Sequence, residues 1–372
     1  MGVNKTKILI ISAGSMVSQN ILETLKNRRE HLYIVGTNAS ADAPLYDCDK
    51  IYLTPLSELP PSDYADELSK IIAQEAPDLV IPGRDIDIIV LALLKERFPD
   101  ISDRFVVGVA DLAQLMEDKW LSYAFAKKAG LPFAETMIYD WKNNKNDIIS
   151  FAKKHGFPLI AKPRKGFASK AVSFIVNQDQ LSKIPSDGNM IIQEYLGDDS
   201  KIIAFHKLIN QNGLPLFYSL EELKYSMQMY VGKSGSLMGS IVTKHAMKNG
   251  VSVAVHIYEN HGLDELIETY YNGFAKNGWY GPINVQLQRS NKTGELRAYE
   301  FNGRFTGATA GRYILGYDEV GFALEELSPQ PVEKDQSYGS QKSVLKQTYI
   351  SSRPECHMET LNKLKTWEPN YP

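Results

Sequence analysis

The sequence is poor in cysteine, in long apolar runs and in net charge. Its 372 residues hold two cysteines, Cys48 and Cys356, so a disulfide scaffold and a CxxC metal or redox motif are excluded. Two unpaired thiols indicate a reducing compartment, and we expect a cytoplasmic protein. The longest uninterrupted apolar run, Ile88–Leu94, is far too short for a membrane span. The formal net charge of −3 argues against a nucleic-acid partner.

Several common site motifs are also missing. A single glycine, Gly14, follows the first apolar run, and the next run ends in Thr37-Asn38 without an acid, so a dinucleotide site is excluded. "GKS" at 232–234 resembles the end of a P-loop, but Met227 occupies the required first glycine position. The seven histidines form no HExxH, and no GxSxG is present, so zinc-protease and serine-hydrolase chemistry have no support.

The first part of the chain alternates short apolar runs with amphipathic segments. The runs "KILIIS", "LYIVGTN", "DLVIPG" and "RFVVGV" predict strands, and the segments between them predict helices. This rhythm is typical of a parallel sheet covered on both faces, and the unit ends near residue 110. A helix start at Asp118 then leads into "KWLSYAFAKKAG", which Gly130 and Pro132 end.

The second part is richer in consecutive strands. "FPLIAKP", "VSFIV", "NMIIQEYL", "KIIAFHKLIN", "PLFYSL", "GPINVQLQRS" and "ELRAYEFNGRF" predict strands in antiparallel pairs. "YSMQMYVGKSGSLMGS" (225–240), rich in Met, Gly and Ser, predicts a mobile segment over the substrate site. In the tail, "LKQTYIS" predicts a strand and "METLNKLKTW" a short helix. The fold class is therefore an α/β unit followed by α+β units.

The segment "YEFNGRF" (299–305) carries polar groups at every second position. In a strand, Glu300, Asn302 and Arg304 share one face, while Tyr299, Phe301 and Phe305 share the other. One interpretation is a half-buried strand with a solvated face. The other is a site for a metal ion and phosphate, since Mg²⁺ prefers oxygen ligands and an arginine binds phosphoryl oxygens in a bidentate fork. Spacing alone favours the solvated face.

The preceding strand strengthens the second interpretation. A loop of three residues, Lys292-Thr293-Gly294, places glycine where a bulged hairpin turn requires positive φ. This register puts Gln286 directly across from Glu300, so three oxygen-bearing side chains converge on one patch.

Two more segments support the interpretation as a site for a metal ion and phosphate. "FPLIAKPRKGFASKAV" predicts strand, basic loop, strand, with donors for a polyphosphate, and "NMIIQEYLGDD" predicts a strand that runs into a polar bend.

The order of these features resembles the ATP-grasp superfamily, most closely the carbamoyl phosphate synthetase large-subunit halves and short carboxylate–amine ligases. Along the chain, these features are a lysine after a helix start, a lysine after an apolar strand, a flexible loop, Q-E-Y-L, a glutamine and E-x-N-x-R. The resemblance covers about residues 7–316 and implies four units. They are an N-terminal α/β domain (1–110), a linker helix with the small ATP-grasp subdomain (111–187), the large subdomain (188–327) and a C-terminal extension (328–372).

The resemblance also implies roles for residues of this chain. Lys119 and Lys162 would touch the ATP phosphates, and the loop 164–171 with Lys165 and Ser169 would cover them. The backbone bend, or hinge, at the end of the strand "NMIIQEYL" would bind the adenine, and an acid beyond it would bind the ribose. The strand pair "GPINVQLQRS" and "ELRAYEFNGRF" would bind the metal. The implied adenine-binding residues are Glu194, Tyr195 and Leu196, and the ribose-binding residue is Asp199. The implied metal ligands are Gln286, Glu300 and Asn302, and Glu300 would bridge two ions. Arg304, with Lys162, would act on the transferred phosphoryl group.

The implied activity is ATP-dependent amide formation through an acyl phosphate, with ATP and two Mg²⁺ ions, or Mn²⁺ in their place, as cofactors. The partners would be a small carboxylate, an amine and a second copy of the chain in a homodimer. Two alternatives stay open: a carbamoyl-phosphate-type kinase of bicarbonate or carbamate, and a nucleotide-binding regulator without turnover. Substrate identity is open as well. Charged residues that can reach a substrate carboxylate, or lie at the surface, are Arg84 and Asp85 in "PGRD", Lys224, Lys233, Lys244 and Arg312.

Overall fold

The computed structural model describes residues 5–57, 62–166, 170–213, 223–248, 251–332, 339–346 and 355–369. Within these residues the chain forms three sheets with helices packed against them. No helix in these ranges is both long enough and apolar enough to cross a membrane.

The first sheet is the parallel sheet that the sequence predicts. Its strands are β1 (Thr6–Ile10), β2 (Leu32–Asn38), β3 (Lys50–Leu53) and β4 (Leu79–Ile81), and its helices are α1 (Met16–Leu25), α2 (Ser62–Glu75) and α3 (Asp85–Leu94). Ile8, Leu9 and Ile10 are all fully buried, because helices cover both faces of a parallel sheet. The predicted strand "RFVVGV" is reduced to an isolated bridge between Val80 and Phe105.

Two helices, α4 (Ala110–Glu117) and α5 (Lys119–Ala129), connect this unit to the second sheet. The predicted start at Asp118 is confirmed, because its carboxylate accepts hydrogen bonds from the backbone N–H groups of Trp120 and Leu121. Gly130 ends α5 in the left-handed conformation at φ 70°.

The second sheet has four antiparallel strands. They are β5 (Thr136–Tyr139), β6 (Leu159–Pro163), β7 (Ser173–Ile175) and β8 (Met190–Glu194), in the order β5-β8-β6-β7. Helices α6 (Lys145–His155) and α7 (Gln178–Leu181) accompany them. Since β8 pairs with both β5 and β6, the predicted boundary at residue 187 falls inside this sheet.

The strand predicted for "KIIAFHKLIN" is wrong, since these residues lie in helix α8 (Ser200–Asn212). Apolar residues 202, 203, 205, 208 and 209 fit a helical period as well as a strand pair, and only Ile202 becomes buried. The predicted strand "PLFYSL" lies outside the described residues.

The third sheet has six antiparallel strands in the order β13-β12-β9-β10-β11-β14. They are β9 (Leu223–Val231), β10 (Leu237–Lys248), β11 (Val251–Ile257), β12 (Gly281–Arg289), β13 (Leu296–Asn302) and β14 (Ser343–Leu345). Helices α9 (Leu263–Ala275), α10 (Thr309–Ile314) and α11 (Glu319–Leu327) pack around it.

The predicted mobile segment 225–240 is instead the hairpin of β9 and β10 at the centre of this sheet. Met227 and Met229 are fully buried in it. Methionine here fills the core, which is its more frequent use.

The predicted C-terminal extension returns to the other units. Strand β14 joins the third sheet, and β15 (Thr366–Trp367) pairs antiparallel with β3 of the first sheet. The predicted helix in "METLNKLKTW" is confirmed as part of α12 (Glu355–Leu364). Most of the predicted strand "LKQTYIS" lies outside the described residues.

Candidate active site

A cavity of about 480 Å³ lies where the three sheets meet. Asp85 of α3 and Lys119 of α5 line one side of it. The second sheet contributes Lys162 and the hinge after β8, and the third sheet contributes the polar side chains of β12 and β13. Most of the predicted site residues therefore meet in one place.

The pairing of Gln286 with Glu300 is confirmed, although the loop differs from the prediction. The hairpin closes between Ser290 and Glu295, so its loop has four residues rather than three, with Gly294 at φ 75°. A bulge compensates for this shift. Pairing runs from Arg289↔Leu296 to Leu287↔Ala298, skips Tyr299, and resumes at Gln286↔Glu300 and Asn284↔Asn302.

The bulge overturns the predicted position of Tyr299. Tyr299 lines the cavity and does not share the opposite face with Phe301, which is fully buried. Its ring centroid lies 5.7 Å from the Lys162 ammonium and 5.9 Å from the Lys224 ammonium. Because rings attract cations, Tyr299 holds two lysines beside the carboxylate of the next residue.

The three predicted metal ligands fit an oxygen-liganded cation. Gln286, Glu300 and Asn302 all line the cavity. Asn302 is 6% exposed, and its Nδ2 has no hydrogen-bond partner among the described residues. Rotation of an amide exchanges its oxygen and nitrogen, so this unsatisfied buried end suits a cation ligand. No cluster of three or more His, Cys, Asp or Glu side chains occurs in the described ranges. One carboxylate and two amide oxygens suit a hard ion such as Mg²⁺, which completes its shell with waters and phosphate oxygens.

Lys162 of β6 lines the cavity and reaches β13 of the third sheet. It is 5% exposed, and its ammonium donates a hydrogen bond of 3.2 Å to the Tyr299 carbonyl. Burial lowers the pKa of Lys162 to about 8, against the opposing effect of the Glu300 charge, while Lys119 and Lys224 lower it further. A buried ammonium with a single neutral hydrogen-bond acceptor suits an anionic ligand.

The other predicted phosphate contacts lie near Lys162. Lys119 lines the cavity, and its ammonium donates a 2.8 Å hydrogen bond to the carbonyl of Gly166. Lys165 and Gly166 are exposed at the cavity wall. Ser169 lies outside the described residues. These basic groups meet along one side of the cavity, as a polyphosphate requires.

The predicted adenine hinge also lines the cavity through Glu194, Tyr195 and Leu196. The Glu194 carboxylate is already engaged, since it accepts hydrogen bonds from the Glu135 backbone N–H (2.8 Å) and from Arg297 (3.0 Å). A ligand would therefore meet the backbone of the hinge rather than this side chain. Asp199 precedes α8 and is not among the lining residues.

Arg304 lines the cavity as predicted, and its partner is Asp85, for which the sequence left open a place in the substrate site or at the surface. Its Nε and Nη2 donate to Asp85 Oδ1 and Oδ2 at 2.6 and 3.0 Å. Burial raises the pKa of Asp85, but the Arg304 charge, with a smaller effect of Lys119, reverses this and keeps the pKa below its usual value. The available signal was that Asp85 follows β4, at the carboxyl end of a parallel strand, where such sheets bind ligands.

Of the remaining charged candidates, some line the cavity and others lie outside it. Lys224 lines the cavity, whereas Lys233 pairs with Asp103 at 3.0 Å outside it. Arg312 is fully buried and pairs with Glu319 at 2.6 Å, so it holds α10 against α11 rather than meeting a substrate. Arg84 donates to the hydroxyls of two serines, and Lys244 is not among the lining residues.

Comparison with known proteins gives relatives for both halves of the chain. The family "PylC-like, N-terminal domain" matches residues 8–104. The carbamoyl phosphate synthase large chain, N-terminal section, of Methanopyrus kandleri is 22% identical over 356 residues, covering 87% of this chain and 58% of the relative. Formate-dependent phosphoribosylglycinamide formyltransferase of Bacteroides fragilis is 22% identical over 224 residues, covering 57% of this chain and 53% of the relative. The chain thus spans a little over half the length of these curated relatives.

Solved structures share the fold over nearly the whole chain. N5-carboxyaminoimidazole synthetase from Staphylococcus aureus, complexed with ADP, superposes with a TM-score of 0.66 at 16% identity, covering 90% of this chain and 80% of that one. The biotin carboxylase domain of Hydrogenobacter thermophilus 2-oxoglutarate carboxylase, in complex with MgADP, ADP and bicarbonate, gives 0.62 at 15% identity, covering 90% and 72%. These similarities show that the chain has the fold of N5-carboxyaminoimidazole synthetase and of the biotin carboxylase domain, and they agree with the resemblance of its motifs to the ATP-grasp superfamily.

Proposed function

We propose that this protein is an ATP-dependent carboxylate–amine ligase that forms an amide through an acyl phosphate and releases ADP and phosphate. One observation carries the proposal. The cavity brings the oxygen ligands of β12 and β13 together with the buried Lys162 and with Arg304. Phosphoryl transfer depends mainly on positioning and on neutralised charge, and these groups supply both.

Each group has a distinct role in this reaction. Gln286, Glu300 and Asn302 hold the cation, and a bound Mg²⁺ supplies the charge that neutralises the terminal phosphates of ATP. Glu300 would also help to hold a second ion where two are bound. Lys119 and Lys162 contact phosphate oxygens, and so do Lys165 and Ser169 of the loop 164–171. Arg304 stabilises the phosphoryl group as a substrate carboxylate oxygen attacks it.

The second half of the reaction needs protection from water. An amine attacks the acyl carbon and phosphate leaves, while a closed loop over the phosphates keeps water from the intermediate. The hinge 194–196 holds the adenine through its backbone, and Asp199 binds the ribose. Both nucleoside assignments are tested by whether Leu196→Arg and Asp199→Ala raise the KM for ATP.

The proposal is tested with Mg-ATP, hydroxylamine and a pool of small carboxylic and amino acids, with products read by mass spectrometry. Hydroxylamine replaces the unknown amine, so only the acid must be right. ADP together with a hydroxamate is the expected result. AMP in place of ADP would mean adenylate chemistry, and bound ATP without any turnover would support a nucleotide-binding regulator.

The names of the relatives support bicarbonate as a second candidate for the acid. A carbamoyl-phosphate-type kinase would consume ATP with bicarbonate and ammonia alone, without any organic acid. ADP release under those conditions distinguishes this candidate from the ligase.

The cytoplasmic location and the homodimer remain predictions. Both cysteines are free thiols, Cys48 buried and Cys356 exposed, which accords with a reducing compartment. Light scattering coupled to size-exclusion chromatography measures the mass in solution and tests the dimer.

A further inference from the structure

The ion pair between Arg304 and Asp85 uses only part of each group. A guanidinium has five N–H donors. Nε and one N–H of Nη2 bind Asp85, and one N–H of Nη1 donates to the Phe305 carbonyl at 3.1 Å. Among the described residues no further acceptor occupies these two nitrogens, so one N–H remains on Nη1 and one on Nη2: one for a substrate carboxylate and one for the phosphoryl group that the carboxylate attacks.

Asp85 has capacity left as well. Each carboxylate oxygen accepts one hydrogen bond from Arg304, and the backbone N–H of Asp85 donates one more, so the two oxygens still have lone-pair capacity. The side chain is 31% exposed and lines the cavity, so these lone pairs can be reached by a ligand.

The start of α3 holds Asp85 in place. Its neighbour Arg84 donates to the Ser12 hydroxyl at 2.9 Å and to the Ser57 hydroxyl at 2.6 Å. Asp87, fully buried on the same turn, accepts a hydrogen bond of 2.6 Å from the Tyr64 hydroxyl. The carboxylate of Asp85 is thus fixed by the first unit while it faces the third sheet.

The other acids that line the cavity are already used. Among the lining residues these are Glu194 and Glu300. Glu194 accepts hydrogen bonds from Arg297 and from the backbone at residue 135, and Glu300 belongs to the cation site. Asp85 is paired as well, but its partner Arg304 lines the cavity, whereas Arg297, the partner of Glu194, is not among the lining residues. Asp85 is therefore the lining carboxylate placed to bind a positively charged group of a substrate that Arg304 holds.

We propose that Asp85 binds the ammonium group of the acid substrate, so that the ligase acts on an α-amino acid whose carboxylate accepts a hydrogen bond from a free N–H group of Arg304. This inference rests on the proposed function and specifies its substrate class. The two charges of an α-amino acid sit on one carbon, and Nη2 of Arg304 lies 3.0 Å from Asp85 Oδ2, so one zwitterion meets both partners. An acid without the ammonium would instead put its carboxylate next to Asp85, and like charges repel.

The test compares α-amino acids with the matching acids that lack the α-amino group, in the hydroxylamine assay with Mg-ATP. Suitable pairs are alanine and propionate, lysine and 6-aminohexanoate, glutamate and glutarate, and phenylalanine and 3-phenylpropionate. For the pair that contains the substrate, we expect kcat/KM to favour the amino acid by about tenfold or more, the usual effect of a lost charged hydrogen bond. Equal use of both members overturns the inference and leaves the proposed function intact.

The variant Asp85→Asn removes the charge and keeps one acceptor for Arg304. The preference for the amino acid should fall at least about tenfold in this variant. The control Asp103→Asn removes a carboxylate from an exposed ion pair outside the cavity and should keep the wild-type preference. A proportional loss for both members of the pair would mean that Asp85 only positions Arg304, which contradicts the inference. No product from any acid would overturn the proposed function and the inference together.

Discussion

At the scale of single residues, the proposed cation site has one carboxylate flanked by two amides. Gln286 and Asn302 are neutral, so Glu300 carries all the negative charge among the three ligands. Loss of this charge should affect binding of the cation far more than folding, because Glu300 lies on the cavity wall and not in the apolar core.

The variant Glu300→Gln keeps the shape of the side chain and removes its charge. We expect the rate of ADP formation to fall by about 10²-fold or more, which is the scale of one electrostatic group in a reaction centre. Thermal unfolding, measured in parallel, should stay within a few degrees of the wild type. Glu295→Gln, in the exposed loop of the same hairpin, is the matched control. A near-normal rate for Glu300→Gln would remove this residue from the cation site.

His245 supplies a pH dependence of stability away from the cavity. It is 7% exposed, and burial, with Arg312, Lys346 and His256 nearby, lowers its pKa to about 3. The unfolded chain, with a histidine pKa near 6.5, therefore binds one more proton between pH 6.5 and pH 3. This site makes the free energy of unfolding fall by about 1.4 kcal/mol per pH unit as the pH drops through that window.

His245→Gln should remove this contribution. Urea unfolding at pH 7 and pH 5 should show a smaller acid loss for the variant than for the wild type, by about 1.4 kcal/mol per pH unit. The exposed His261→Gln is the control and should match the wild type. Equal acid losses in all three proteins would mean that His245 is not held neutral by the fold.

The residue pattern predicted part of this site and missed part of it. The alternation in "YEFNGRF" was enough for Glu300 and Asn302, because strand periodicity persists beyond the bulge. It failed for Tyr299, since a bulge changes the face of one residue without any mark in the alternation. Asp85 was named as a candidate, but its pairing with Arg304 was not predicted, because the two residues lie 219 positions apart and no local pattern reports such a pair.

At the scale of elements, the end of β13 is positioned by close packing. Trp279, only 2% exposed, lies against Gly303, where an added Cβ would come within 2.3 Å of the indole ring. The missing side chain therefore lets the ring support the backbone between Asn302 and Arg304. Glycine at this position is a packing requirement of the site.

The variant Gly303→Ala should disturb stability and activity together. We expect a loss of about 1–3 kcal/mol in the free energy of unfolding, typical of an overpacked core, and a drop in kcat of about tenfold or more as Asn302 and Arg304 shift. Gly311→Ala is the control, because its Cβ would meet Val255 at an ordinary 3.5 Å. Urea unfolding and the ADP assay measure both effects, and a Gly303→Ala protein with wild-type values would refute the packing argument.

Secondary structure was predictable where the spacing of the apolar residues and the length of the apolar run both indicated the same element. Strands β1, β2 and β4 of the first unit were predicted correctly, because runs buried on both faces read as continuous apolar segments. Strand β3 was not predicted, and the run "RFVVGV" forms only a bridge. Helix α8 was read as a strand because its apolar residues fit both periods, and the β9–β10 hairpin was read as a lid from composition alone. In both cases tertiary packing, which the local sequence does not contain, decided the structure.

At the scale of the whole molecule, a C-terminal strand of the chain pairs with the N-terminal sheet. Strand β15 pairs with β3, and Trp367, 3% exposed, packs edge-on against Tyr46 at 5.3 Å between ring centroids. The sequence predicted the helix in this segment but not the pairing of β15 with β3, because a strand of two residues carries almost no pattern. The last described residues thus stabilise the first sheet, which carries Asp85 to the cavity.

Trp367→Ala should destabilise the first unit by about 3–5 kcal/mol, the usual cost of removing a buried aromatic side chain. Urea unfolding followed by circular dichroism measures the loss. Leu364→Ala, at a residue that is 53% exposed on the same segment, should stay close to the wild type. A loss below about 1 kcal/mol for Trp367→Ala would mean that this tail is not part of the folded unit.

The acyl phosphate is tested most directly by following one oxygen atom. The acid found in the hydroxylamine assay is labelled with ¹⁸O in its carboxylate and ligated to an amine with Mg-ATP, and the products are read by mass spectrometry. Attack of the carboxylate on the terminal phosphorus, followed by loss of phosphate, predicts one ¹⁸O atom in each inorganic phosphate and none in ADP. Recovery of the label in AMP, or amide formation with unlabelled phosphate, would contradict the account.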